Sequence, residues 1–233
     1  MSITTLILII IAIGIAFLFL VLVKTGKPRS RSARAVAEQL GFNYFQKDNE
    51  ILEKIKFFKL YDITTRNASA RNVYRAKSTP PDVCVFDYEA TTGTEDTPVT
   101  DTHTTFYFKD DRMELPGFRL LPEDSEIARR NDSVLKYRPI SFASNPAFSS
   151  RFRLVGPDGH EIREFFSPDL LDFFEKQGAL CIEGFKSELL VYQPKKKVAP
   201  ADFQKYFDNA RSIFDLFLER SKRIPPAPEN AEK

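Results

Sequence analysis

Two histidines, two cysteines and one cationic tract are the residues best placed to do chemistry in this chain. His103 follows a polar stretch, TTGTEDTPVTDT, that holds Glu95, Asp96 and Asp101. Carboxylates beside an imidazole suit a hard or borderline cation. The stretch has no fixed ligand spacing, however, and a solvated hairpin loop accounts for it without a metal. His160 falls in the first turn of an expected helix and reads as a surface residue. Cys84 (VCVF) and Cys181 (LCIE) sit inside apolar runs with no evident base or electropositive neighbour, so both read as small core hydrophobes. Whether they pair is left open. Asp110 and Asp111 are adjacent, which on a strand points them to opposite faces. Neither a nucleophile elbow, a Walker loop nor a dinucleotide fingerprint is present. The sequence therefore assigns no catalytic residue, no cofactor and no metal ligand.

The cationic tract carries a clearer message. Lys24, Lys27, Arg29, Arg31 and Arg34 follow the uncharged run ITTLILIIIAIGIAFLFLVLV at residues 3–23. As a helix that run is about 31 Å long, matching a hydrocarbon core of about 30 Å. It is too long for a signal-peptide apolar region, lacks a basic segment before it and ends without a small-residue cleavage site. The expectation is an uncleaved transmembrane helix that contacts membrane lipid through residues 3–23. All five basic residues flank its C-terminal end, so the positive-inside rule puts the N-terminus out and the rest in the cytoplasm, at the inner (plasma) membrane. The same five side chains are candidate contacts for anionic headgroups, although an orientation signal and flexible stalk is the simpler reading. Ala12 and Ala16 form a small-xxx-small pair that permits a homodimer.

Net charge is +2 over 233 residues, and the tract supplies more than all of it. The remaining chain is mildly acidic, which excludes a generic nucleic-acid binder because phosphate neutralisation needs a clustered basic face. With 22 Phe, 8 Tyr and no Trp, the aromatic content fills a core rather than building a stacking platform.

Positioning these residues requires both helices and strands. SARAVAEQL predicts a helix from Ser32 that stops at Gly41, and NEILEKIKFF predicts a second, with Ile51, Leu52, Ile55 and Phe58 at helical spacing. NVYRAK (72–77) and DVCVFDYEA (82–90) read as strands. In the latter Cys84, Phe86, Tyr88 and Ala90 take one face and Val83, Val85, Asp87 and Glu89 the other. HTTFYFK (103–109) should return antiparallel, and LPGFRLLPE adds a short strand. Residues 123–138 read as a charged loop or surface helix. PISFA predicts a strand, Asn145–Pro146 a turn and residues 151–155 a further strand. Asp158 and Glu161 form a capping box for a helix through HEIREFF. Ser167, Pro168 and Gly178 bracket another helix, ALCIEGFKSELLVYQ (179–193) a hairpin, and Lys195–Lys197 a solvated loop. The last helix, 201–222, aligns Phe203, Phe207, Ala210, Phe214 and Phe217 in a stripe that should pack on the sheet.

The succession AEQLGFNYF, VFDYEATTG, LPGFRLLPE, FSSRFRLVG and FFSPDLLDFF resembles a broad family of uncharacterised bacterial single-pass membrane-anchored proteins. The resemblance implies bacterial origin and a membrane address, and brings no activity or functional residue with it. The expected organisation is a transmembrane anchor (1–23), a basic juxtamembrane linker (24–34), a cytoplasmic α+β domain (35–222) with an antiparallel sheet and flanking helices, and a disordered tail (223–233). The expected function is a membrane-tethered binding or interaction module with a protein partner or a second copy. The alternatives are a tethered hydrolase with an acidic site around His103, or a small-ligand or lipid sensor with a pocket among the phenylalanines.

Overall fold

The computed structural model describes residues 29–58, 66–76, 80–93, 98–126, 128 and 137–223. The expected transmembrane segment, Lys24, Lys27, most of the charged stretch 123–138 and nearly all of the tail lie outside them. Among the described residues no helix is long and apolar enough to cross a membrane.

Helix α1 (Arg29–Gln39) leads into β1 (Asn43–Lys47) and the short α2 (Glu50–Lys54). Four strands follow, β2 (Arg66–Arg75), β3 (Asp82–Gly93), β4 (Pro98–Lys109) and β5 (Leu115–Pro122). Then come α3 (Pro146–Arg151), β6 (Phe152–Val155), α4 (Gly159–Phe165), α5 (Pro168–Glu175), the hairpin β7 (Cys181–Lys186) and β8 (Glu188–Tyr192), and α6 (Phe203–Arg223). The strands form one eight-stranded sheet in the order β1-β2-β3-β4-β8-β7-β5-β6. Every pairing is antiparallel, so the molecule is α+β as expected. The β7–β8 hairpin inserts between β4 and β5, although these are consecutive in sequence.

Both faces of the sheet are covered, and the alternation along β3 explains how. Val83 and Val85 join Phe106, Phe108, Phe118 and Leu120 under the helices, whereas Cys84, Phe86, Tyr88 and Ala90 join Ile51, Leu52, Ile55 and Phe58 of the α2 region. Helix α6 crosses the first face by packing phenylalanines on β2, β4 and β5. Phe203 lies against Tyr74, Phe214 against Phe108, and Phe217 against Phe118. Its buried set, Phe203, Ala210, Ile213, Phe214, Phe217 and Leu218, follows the predicted stripe, with Phe207 half-buried at its margin.

Several local readings change. Helix α1 starts at Arg29 rather than Ser32, because Ala33 and Ala37 bury on the core and extend helix into what composition alone marks as linker. Gly41 closes this turn with φ 75°. The expected PISFA strand reduces to one bridge, Ile140 to Leu154. Pro146 does not make a turn there. It sits in the first turn of α3, and Ser149 Oγ accepts the Phe142 amide at 2.9 Å, which draws the preceding chain onto the helix. Asp158 caps the helix as expected, its side chain accepting from the amides of His160 and Glu161.

Candidate functional site

One concavity stands out on the α2 face of the sheet. Its floor comes from neighbouring strands: β5 supplies Gly117, Phe118 and Arg119, and β7 supplies Glu183, Gly184 and Phe185, in the register Phe118 opposite Gly184 and Arg119 opposite Glu183. Phe57 and Phe58 form one wall; Tyr137, Val155, Gly156 and Pro157 form another. The groove is open to solvent along one side and has a volume of about 270 Å³.

Glycine shapes the strands beneath the groove. A β-carbon at Gly184 would come within 2.3 Å of the Phe118 ring on the opposite, α6 face, so glycine there lets that ring pack across the strand. A β-carbon at Gly117 would touch the Phe185 ring and Pro157 at 3.5–3.6 Å, ordinary contact, so a β-carbon fits and a longer side chain would enter the groove that Gly117 lines. Phe57, Phe185 and Tyr137 on the rim are 67%, 42% and 38% exposed, among the few large apolar side chains on the surface. Clustered exposed aromatics around a cavity mark an interaction site, whereas single ones do not.

The inner end of this groove is charged. Arg119 Nε lies 3.0 Å from Glu183 Oε1, and both side chains are buried. The Tyr192 hydroxyl donates to the same oxygen at 2.9 Å and accepts from Arg119 Nη2 at 3.5 Å. Burial alone works against the guanidinium charge, but Glu183 and Tyr192 outweigh it and hold the Arg119 pKa above its ordinary value. Burial, helped by Glu183, pushes the Tyr192 phenol far up, so it stays a neutral donor. Nearby Cys181 is likewise driven up by burial and remains a thiol. The arrangement offers a fixed dipole at the end of an apolar trough.

The residues singled out by sequence lie elsewhere. The strand expected to open at His103 begins earlier, at Pro98, which places His103 mid-strand, 2% exposed. Its ring stacks on Tyr192 at 4.6 Å and lies 5.2 Å from Tyr88, outside the groove lining. Burial lowers its pKa to about 3, partly offset by Asp87, so it is neutral. Glu95 and Asp96 lie outside the described residues, among which no cluster of metal-binding side chains occurs. His160 is exposed beside Glu164, and both cysteines are buried and free.

Of the basic tract, Arg31 and Arg34 are exposed on α1, with Arg34 over the Tyr44 ring. Arg29 is different. Its Nε and Nη2 donate to the two oxygens of Asp87 at 2.8 and 2.9 Å, and Nη2 also donates to the Val198 carbonyl at 2.6 Å. Asn72 and Thr104 complete the shell of Asp87 at 2.8 and 2.7 Å. This network fixes the start of α1 to β3 and β4.

Arg119, Glu183 and Asp87 each interrupt an apolar strand (GFRLL, CIEGF, VFDYE) at an inward position. Opposite charges inside two such strands are the signal by which a buried pair is legible, but pairing them needs the β5–β7 register.

No family model matches the chain, and no curated protein matches it in sequence. A solved structure does. The crystal structure of the mycobacterial trehalose monomycolate transport factor A, TtfA, superposes with a TM-score of 0.60, covering 87% of this chain and 99% of that one at 15% identity. The likeness is one of fold.

Proposed function

We propose that the chain is a membrane-tethered cytoplasmic binding module whose groove takes the aliphatic tail of an amphiphile, with the Arg119–Glu183–Tyr192 group meeting its polar head. In this reading residues 3–23 anchor the chain in the inner membrane, in line with its resemblance to single-pass bacterial proteins. The observation that carries the binding role is the coincidence of exposed Phe57, Tyr137 and Phe185 around a glycine-floored cavity ending in a buried ion pair. Apolar lining with a few convergent polar groups is the ordinary design of a small-ligand site. A groove of about 270 Å³ fits a short aliphatic segment. The shared fold of a trehalose monomycolate transport factor fits a lipid-related role.

The test is photo-crosslinking of a diazirine-bearing fatty acid to the full chain in nanodiscs, with labelled peptides mapped by mass spectrometry. Label is expected on the peptides carrying Phe57, Tyr137 and Phe185. Gly117→Leu, whose side chain would occupy the open floor, should reduce it at least tenfold while leaving the circular dichroism unchanged. Label missing from these peptides, or undiminished by Gly117→Leu, would remove the proposal.

A further inference from the structure

The run Lys195–Lys197, read from sequence as a solvated loop, is stitched to the first residue of α1. The Lys196 carbonyl accepts the Thr104 amide at 2.9 Å, the Val198 amide donates to Thr104 Oγ1 at 2.9 Å, and the Val198 carbonyl accepts Arg29 Nη2 at 2.6 Å. Thr104 in turn donates to Asp87, the partner of Arg29. The loop backbone and the start of α1 therefore form one rigid unit, although the two lie far apart in sequence.

Covalent reach then places this unit. Six steps of chain separate Val23 from Arg29, so Arg29 lies within roughly 22 Å of the end of the apolar run however that connection is arranged. Lys195 and Lys196 are exposed, Lys197 is partly so, and Arg31 is exposed on the first turn of α1. The loop's charge is only partly compensated: Lys195 pairs with Glu126, Lys197 shares Glu89 with Arg71, and the Lys196 ammonium lies over the Tyr206 ring with Asp202 near. Arg29 and Asp87 cancel each other. What remains outward is positive.

We infer that Lys195, Lys196 and Lys197, together with Arg31, form the surface by which the domain lies against the anionic inner leaflet. The inference rests on the tether proposed above but not on the groove. A cation near such a leaflet is attracted within about a Debye length, about 8 Å at physiological salt. A basic face fixed beside Arg29, where the chain comes from the anchor, lies within reach of that layer. The leaflet-bound face fixes the domain's tilt, because α1 is latched to the sheet and does not swing as a flexible stalk.

The experiment uses the full chain reconstituted into vesicles of phosphatidylcholine alone or with phosphatidylglycerol. A donor dye sits at Ala199→Cys, beside the loop, or at Ala147→Cys on α3 as a control near β6; native Cys84 and Cys181 are buried and escape labelling. Energy transfer to headgroup-labelled lipid should rise with phosphatidylglycerol for the dye at 199 and not for the dye at 147. It should fall in about 0.5 M salt, where the screening length shortens. Charge reversal of all three lysines should abolish the rise, and single Lys196→Gln should cut the ratio of apposed to free domain about fivefold. The single variant keeps the test decisive if the triple variant misfolds. Transfer at 199 that ignores lipid charge, or survives Lys196→Gln unchanged, overturns the inference. A chain that fails to float with the vesicles at all would instead overturn the tether.

Discussion

His103 shows how a single buried side chain couples folding to pH. Its Nε2 has no hydrogen-bond partner among the described residues, and the ring is sealed between Tyr88 and Tyr192. Burial holds the folded-state pKa near 3, below the ordinary value of 6.5. As pH falls the unfolded chain takes up a proton before the folded one does. Stability is therefore complete above about pH 6.5 and is lost between there and about pH 3, by at most about 1.4 kcal/mol per pH unit from this group. His103→Phe should leave stability at pH 7 unchanged or raise it by about 1 kcal/mol, since it removes an unsatisfied polar atom. It should also flatten the acid limb. Urea denaturation of both proteins at pH 7, 5.5 and 4 checks this; parallel loss in the two would show that carboxylates alone set the acid limit.

At the scale of elements, the position of α1 depends on a buried carboxylate more than on its own apolar face, which offers little beyond Ala33 and Ala37. Asp87, 3% exposed, receives hydrogen bonds from Arg29, Asn72 and Thr104. Asp87→Ala leaves all three donors without their acceptor and should cost about 3 kcal/mol, less whatever water recovers at the one-third-exposed Arg29. Hydrogen exchange gives the sharper readout. Amides of α1 should lose protection well before those of α6, whose stacked phenylalanines do not depend on the pair. Uniform loss across both helices would mean that α1 is held by something other than this network. The element also changes the meaning of its arginines: the charge of Arg29 serves the fold, while Arg31 and Arg34 remain outward.

On the whole-molecule scale, the sheet separates the two cysteines. Cys84 on β3 and Cys181 on β7 face the same side, but β4 and β8 lie between their strands, a separation of about 14 Å at the usual strand spacing. Both are free, both are fully buried, and burial pushes the Cys84 thiol up to about 12. Neither should react with an aromatic disulfide reagent in the native chain, and both should react together when the sheet unfolds. Stepwise release of one thiol at low denaturant would instead reveal that the β1–β4 half opens independently of the β5–β8 half.

Composition and periodicity determined a good deal: the α+β class, the division of β3 between two cores, the Asp158 cap and the phenylalanine stripe of α6. These depend on side chains a few residues apart, and local spacing is what a sequence displays directly. The start of α1 and the helix at Pro146 were not legible, because burial of Ala33 in one case and a Ser149 hydrogen bond in the other comes from packing rather than propensity. Only the tertiary structure decided the groove and the latch. Arg119 meets Glu183 because β7 enters the sheet beside β5, and Val198 meets Arg29 because Thr104 on β4 holds the loop beside Asp87. Strand order is a long-range choice, settled by which apolar faces fit together, and no stretch of neighbouring residues encodes it alone.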